Sequence, residues 1–416
     1  MATTQAPQNE TVQNALVASQ SQISTSQYLQ GVLKNIRSGN LGVFAILLGW
    51  LAIALVFQSQ APNFLTPFNL TNLVVQMAGV ATIAYGVVFI LLLGEIDLSV
   101  SYVSAVAGVL LALGMLPPYN VPWYFMVPIA LLAAAAIGWL HGFIITTFQL
   151  PSFVVTLAGF LAWSGVVLIL IGGAGTVVIQ QSAITALTRT FLAPEVGWLV
   201  GGIGIVLYAV TSILSYNARK RGGLATKPMP IVIAQIVIVS AAIIGFVAFC
   251  NTGRGVPLAG IYLVAFMFIL TYIAENTKFG RYVYAVGGNK EAARRAGIQV
   301  ERIRIFVFML ASFMAGIGGI FLAARLGSVA TNAGGGDLLL NSIAAAVIGG
   351  TSLFGGRGKV YSALVGALIV MTIDNGLGLI PNVSAGARSI VTGLVLLAAV
   401  IIDALSRRKE RLAGAK

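Results

Sequence analysis

The chain has 416 residues, of which 58% are hydrophobic and only 8% charged, and it carries a formal net charge of +13. Soluble domains are about a quarter charged, so this composition excludes an ordinary water-soluble protein and predicts an all-α polytopic membrane protein. The basic excess is confined to a few loops and the C-terminal tail, which argues against a nucleic-acid binder. One cysteine, Cys250, excludes an intrachain disulfide, and one histidine, His141, excludes a multi-histidine metal site.

Residues 1–38 are rich in Gln, Ser, Thr and Asn and contain no apolar core, so neither a cleavable signal nor a span is expected there. They are predicted to be a disordered cytoplasmic tail. A spanning helix needs about 20 apolar residues. Apolar runs follow at 41–57, 77–93, 100–116, 122–145, 153–171, 196–216, 231–249, 257–274, 305–324, 338–350, 360–377 and 389–404. The runs 77–93 with 100–116, and the short run 338–350, read as broken or re-entrant, so ten to twelve transmembrane helices are expected. They form one permease-sized domain, 39–405, followed by a basic tail, 406–416. Forty-eight glycines suit close helix–helix approach in lipid.

Orientation follows the Lys/Arg bias of short loops. Arg219, Lys220, Arg221 and Lys227, the loop 275–304, Arg357 with Lys359, and the Arg407 cluster all fall on one side if there are twelve crossings. The opposite loops 58–76, 117–121, 250–256, 325–337 and 378–388 hold only Arg254, Arg325 and Arg388. Both termini are therefore expected in the cytoplasm. Asp403 faces the Arg407 cluster and reads as an interfacial ion pair.

The loop 275–304 is the longest polar insertion and carries seven basic residues. Within it the spacing predicts a short helix over 290–296. Asn289 is its N-cap, Glu291 lies in the first turn, Ala292 and Ala293 favour helix, Arg294 and Arg295 lie in the last turn, and Gly297 ends it. A helix that short is unstable alone in water, so a partner protein is the natural support. No phosphate-binding P-loop is present: Gly358-Lys359 is followed by Val360, and position 353 is Leu. Any ATP used must be bound by another chain.

Two Gly-containing breaks interrupt the apolar pattern. The first, near 94–99, carries Glu95, Asp97 and Ser99; carboxylates at membrane depth are costly and usually face a cavity or a partner. Either these acids sit in water in a short cytoplasmic turn, or a broken helix lines a translocation pathway. The second break, 349–358, contains Thr351 and Ser352. Leu93-Gly94-Glu95-Ile96-Asp97-Leu98 aligns with Ile348-Gly349-Gly350-Thr351-Ser352-Leu353, as a trace of internal duplication or by chance between small-residue segments. Asn341 and Ser342, and Asp374 with Asn375, interrupt later runs and are candidates for the pathway or for interhelical bonding. His141 reads as an interhelical hydrogen-bonding residue rather than a ligand. No catalytic constellation and no metal cluster is readable.

The pattern Glu291-Ala292-Ala293 with Gly297 resembles the EAA-type loop of ABC importer permeases. Further matches are Glu95-Ile96-Asp97-Leu98-Ser99-Val100, Pro151 to Gly159, Phe279-Gly280-Arg281, Ala285 to Asn289, Ala344 to Leu353, and Asp374-Asn375-Gly376. Together these resemble the permease subunits of bacterial monosaccharide importers, the ribose/xylose/galactoside group, and most of all the D-xylose permeases, with their extra hydrophobic sequence before the coupling loop. Ser101 and His141 depart from the usual Gly and Asn of that pattern. The resemblance implies a multi-pass protein of the bacterial inner membrane, without enzyme activity or a cofactor of its own. It implies a homodimer around one pathway, an ABC ATPase carrying ATP and Mg on the cytoplasmic face, and an extracytoplasmic sugar-binding protein delivering a monosaccharide. It casts Asn289, Glu291, Ala292, Ala293, Arg294 and Gly297 as ATPase-coupling residues. Glu95, Asp97, Ser99, Asn341, Thr351, Ser352, Asp374 and Asn375 become candidate pathway residues. The alternatives are a permease for ribose or another monosaccharide, and an ion-coupled secondary sugar transporter with an essential intramembrane acid.

Overall fold

Apolar runs of span length fold as helices because lipid offers no water to pair with the backbone. In the computed structural model the described residues are Ser26, Gln30, 43–224, 226–384, 386–395, 397, 398 and 401. The expected tails lie almost wholly outside them, as do Asp403 and the Arg407 cluster. Among the described residues, eight helices are long and apolar enough to cross a membrane, and three shorter apolar ones accompany them. The long ones are α2 (Pro67–Leu92), α4 (Trp123–Thr147), α5 (Ser152–Ile171), α7 (Pro194–Arg221), α8 (Met229–Asn251), α9 (Leu258–Asn276), α12 (Val300–Leu326) and α14 (Val360–Leu379). The short ones are α1 (Val43–Gln60), α3 (Val100–Gly114) and α13 (Leu338–Ile348). Three polar helices lie among them: α6 (Ser182–Arg189), α10 (Lys278–Gly288) and α11 (Lys290–Arg295).

The chain divides into two compact units. In the smaller, α7 and α8 form a hairpin, with Gly201 set against Val247 and Ile243. Both helices leave most of their apolar surface exposed, as lipid-facing helices do. The segment is closed at its neck, where the Leu192 N–H donates to the Val256 carbonyl at 2.8 Å.

In the larger unit, α12 is the central helix, packed on α2, α3 and α4. Small residues set these approaches. A Cβ at Gly138 of α4 would overlap the Phe308 carbonyl, and one at Gly319 of α12 would overlap the Ser104 carbonyl of α3. α13 and α14 pack as a pair, with Gly366 against the Ala345 carbonyl. α1 closes on α14 through Phe57 over Gly376 and a 3.0 Å bond from Trp50 Nε1 to Thr372 Oγ1. After α5 and α12 the chain pairs as two antiparallel strands, β1 (Thr176–Val178) and β2 (Ser328–Ala330), with Val177 opposite Val329. Phe191 and Pro257 form a further antiparallel bridge.

Two expectations are corrected. The second helix starts at Pro67, ten residues before the apolar run at 77. Thr66 caps it by accepting from the Asn69 N–H at 3.3 Å, and Pro67 occupies its first turn. Its polar residues Asn69 and Thr71 are buried, so an apolar window misses a turn that faces protein. The loop 275–304 holds a second helix, α10, capped by Thr277, which accepts from the Gly280 N–H at 3.1 Å. Gly280, Val283 and Val286 form its buried side.

Candidate functional site

Three helices of the larger unit, α2, α13 and α11, end in the same way. After α2, Gly94 takes a left-handed φ of 73°, its N–H bonds the Leu91 carbonyl, and the Glu95 N–H bonds the Ile90 carbonyl at 3.2 Å. After α13, Gly350 has φ 94°, its N–H bonds the Val347 carbonyl, and the Thr351 N–H bonds the Ala346 carbonyl at 3.0 Å. After α11, Gly297 has φ 82°, its N–H bonds the Arg294 carbonyl, and the Ile298 N–H bonds the Ala293 carbonyl at 3.1 Å. All three are Schellman ends. The shared motif matches Gly94 to Gly350, one residue away from the sequence alignment of Gly94 with Gly349.

The two breaks and α10 meet through bare backbone. The Gly356 N–H donates to the Leu92 carbonyl at 2.9 Å. A Cβ at Gly287 would overlap that same carbonyl, and one at Gly355 would lie 2.6 Å from the Gly287 oxygen and 3.0 Å from the Gly94 nitrogen. The Tyr284 hydroxyl donates to the Gly358 carbonyl at 2.8 Å, and burial pushes this phenol up to about 12, so it stays a donor.

Glu95 is 5% exposed and charged in its surroundings. Its Oε1 lies 2.9 Å from Lys290 Nζ of α11 and 2.8 Å from Arg304 Nη2 of α12. Burial opposes the charge, but Arg304, the Ser152 hydroxyl and Lys290 outweigh it and hold the carboxyl below its ordinary range. This acid is therefore not in water; it ties the first break to α11. On α11 itself, Asn289 Oδ1 accepts from the Ala292 N–H at 2.9 Å, and Ala293 is the buried position. Arg294 bridges Glu291 at 3.0 Å and Glu301 at 2.6 Å on the exposed side.

Asp97 is 3% exposed. Its Oδ1 accepts from the Ser99 N–H at 2.8 Å and the Ser99 hydroxyl at 2.6 Å, while Oδ2 has no hydrogen-bond partner among the described residues. Ser99 Oγ lies 3.2 Å from His141 Nδ1, and Trp163 Nε1 donates to His141 Nε2 at 3.1 Å. His141 is thus interhelical, joining the break to α4 and α5. A cavity of about 120 Å³ lies beside Asp97, walled by Val87, Ile90, Ile96, Ile343 and Leu353.

The remaining candidates separate. Asn341 Oδ1 and Thr351 Oγ1 are buried without a partner, whereas Ser352 Oγ accepts from the Phe354 N–H at 3.1 Å. Asn375 is held in an amide cluster on α2: its Oδ1 accepts from Asn69 at 2.9 Å, and its Nδ2 donates to Asn69 and Gln76, both at 3.2 Å. Asp374 is half-buried and its charge acts on Arg325. Sequence reasoning missed Lys290 and Arg304 as partners of Glu95, and Trp163 and Ser152. Only the Pro151 to Gly159 match pointed toward α5. Among the described residues no group of three His, Cys, Asp or Glu is placed to hold a metal.

Residues 69–400 match the family model described as the branched-chain amino acid transport system / permease component. The chain is 32% identical over 380 residues to the xylose transport system permease protein of Haemophilus influenzae, covering 90% of this chain and 99% of that one. It is 32% identical to the xylose transport system permease protein of Escherichia coli, covering 94% and 98%. The ribose import permease protein of Bacillus subtilis is 30% identical, with 92% and 97% covered. No solved structure matches.

Proposed function

The chain belongs to this permease-component family, and from that membership we propose that it is the membrane-spanning subunit of an ATP-driven monosaccharide importer, with D-xylose the best-supported substrate. It is a multi-pass inner-membrane protein and a transport subunit, not an enzyme. ATP and Mg are bound by a separate ATPase subunit, a sugar-binding protein delivers the substrate from outside, and two copies of this chain enclose one pathway. Both termini and the α10–α11 segment face the cytoplasm.

The observation that carries this reading is α11. It is a six-residue helix with both ends capped and its Arg294–Glu291 side exposed, yet it is bonded through Lys290 to the buried Glu95 of the first break. A helix too short to stand alone is held by the membrane core and offers its outer side to a docking partner. ATPase movement on α11 reaches Glu95 and Arg304 directly, and reaches both breaks through Gly287 and Gly356. Rigid-body rocking of the helices that leave those breaks then opens the pathway alternately. Asn289, Glu291, Ala292, Ala293, Arg294 and Gly297 form the coupling element. Asp97, Asn341 and Thr351, each with a buried polar atom left without a partner, are the pathway candidates that the geometry favours. Glu95 is better placed as a strut, and Asn375 as an interhelical joint.

The test is ATP hydrolysis in lipid vesicles containing the chain, its ATPase and its binding protein, with and without D-xylose. Xylose-stimulated hydrolysis that requires the binding protein supports the reading. Stimulation by another sugar alone corrects the substrate. No stable association with an ATPase overturns it.

A further inference from the structure

The hydrogen-bond chain behind Asp97 has a direction. An indole N–H only donates, so the 3.1 Å contact from Trp163 requires His141 Nε2 to be an acceptor. The neutral ring then carries its proton on Nδ1 and donates it to Ser99 Oγ at 3.2 Å. With its lone pair so used, the Ser99 hydroxyl turns its own proton to Asp97 Oδ1 at 2.6 Å, where the Ser99 N–H also converges. Burial raises the Asp97 carboxyl above its ordinary range, opposed by its hydrogen bonds from Ser99 and the Val100 N–H. Gly159 makes room for the ring: a Cβ there would lie 2.6 Å from His141 Nε2. One oxygen of Asp97 is thereby saturated and the carboxyl plane fixed. The other, Oδ2, has no hydrogen-bond partner among the described residues, in a residue 97% buried that also lines a cavity between the two breaks.

The walls decide what belongs beside that oxygen. Val87, Ile90, Ile96, Ile343 and Leu353 supply no second oxygen, so a metal ion would lack its coordination shell. An apolar ligand would leave Oδ2 unsatisfied, which is costly when buried. A molecule with a hydroxyl donor on an otherwise C–H edge satisfies both the oxygen and the aliphatic walls, and 120 Å³, room for about four waters, takes one edge of a sugar ring.

We propose that Asp97 Oδ2 accepts a hydroxyl of the monosaccharide in the pathway, and that His141 and Trp163 are positioning residues that aim it. This rests on the sugar-importer reading above and adds the contact and its orienting chain.

The experiment uses the complete importer in vesicles with D-xylose and the series of monodeoxy-xyloses. The wild type should lose about tenfold or more in kcat/KM for the one analogue lacking the hydroxyl that Asp97 binds. In Asp97→Ala that analogue and xylose should become nearly equal, while discrimination against the other analogues stays as in the wild type. The binding protein's own preference cancels when variant and wild type are compared. His141→Leu should weaken the same discrimination, and His141→Gln, which can accept from Trp163 and donate to Ser99, should restore it. If Asp97→Ala does not assemble or transport, Asp97→Asn is read in the same ratio. Unchanged discrimination in the Asp97 variants, or equal loss for every analogue, overturns the contact and leaves the importer reading standing. A wild-type complex that answers no monosaccharide overturns both.

Discussion

Glu95 and Lys290 are 195 positions apart, and their charged atoms meet at 2.9 Å, with Arg304 on the same carboxylate oxygen at 2.8 Å. The pair joins the end of a buried helix to a six-residue helix at the surface, so removing its acid tests whether α11 and the first break move together.

Glu95→Gln leaves Arg304, whose side chain is 12% exposed, without a counter-charge. Breaking such a buried pair costs about 3–5 kcal/mol, less where one partner is solvated as Lys290 is. The expected outcome is a lowered melting temperature together with weakened sugar-stimulated ATP hydrolysis. Adding Arg304→Met should recover stability but not coupling.

The pH dependence of this node has a definite sign. The folded pKa of Glu95 lies below its unfolded value of about 4.3, so its contribution is complete above that value and fades as pH falls through the lower, folded one. Thermal stability measured from pH 7 to pH 5 should show no loss from Glu95. Below about pH 4 a loss should appear that is absent in Glu95→Gln.

Gly297 ends α11 at φ 82°, a conformation proline cannot adopt. Gly297→Pro should abolish sugar-stimulated ATP hydrolysis while the protein stays in the membrane. Glu291→Arg, which removes the exposed 3.0 Å pair with Arg294, should do the same without touching the helix end. Normal coupling in both variants would sink the docking role.

Asn375→Leu strands the amides of Asn69 and Gln76 between α2 and α14. A loss of about 1–3 kcal/mol is expected in a reversible unfolding measurement. The double change Asn69→Leu with Asn375→Leu should cost less than the sum, since it removes both ends of the stranded bond.

Much of α11 was legible because caps are local. Asn289 and Gly297 act within a few residues of themselves, and the structure uses both as read. The breaks were legible for the same reason, since glycine after an apolar run marks a helix end. Their mutual register was not. The Schellman turn is set by which glycine takes the left-handed conformation, and that is Gly350, whereas letter matching preferred Gly349. The surroundings of Glu95 were open in the sequence, water or protein, because Lys290 and Arg304 come from elements about two hundred residues away. The start of α2 was missed because Asn69 and Thr71 look like loop residues until a neighbouring helix covers them. α10 was hidden because it is only 11 residues long and carries Lys278 and Arg281 among its apolar positions, although Gly280, Val283 and Val286 form its buried side.

The chain leaves for the α7–α8 hairpin and returns from it at one place. Thr190 accepts from the Leu258 N–H at 3.0 Å and Leu192 donates to Val256 at 2.8 Å, so departure and return are adjacent rungs of one short ladder. Chain of any length threaded between those rungs meets the same two doorposts. Lengthening, shortening or losing the hairpin asks for no shift in the register of α6 or α9, and closing a longer excursion adds only a logarithmic entropy term. The hairpin is in this sense a removable cassette between α6 and α9.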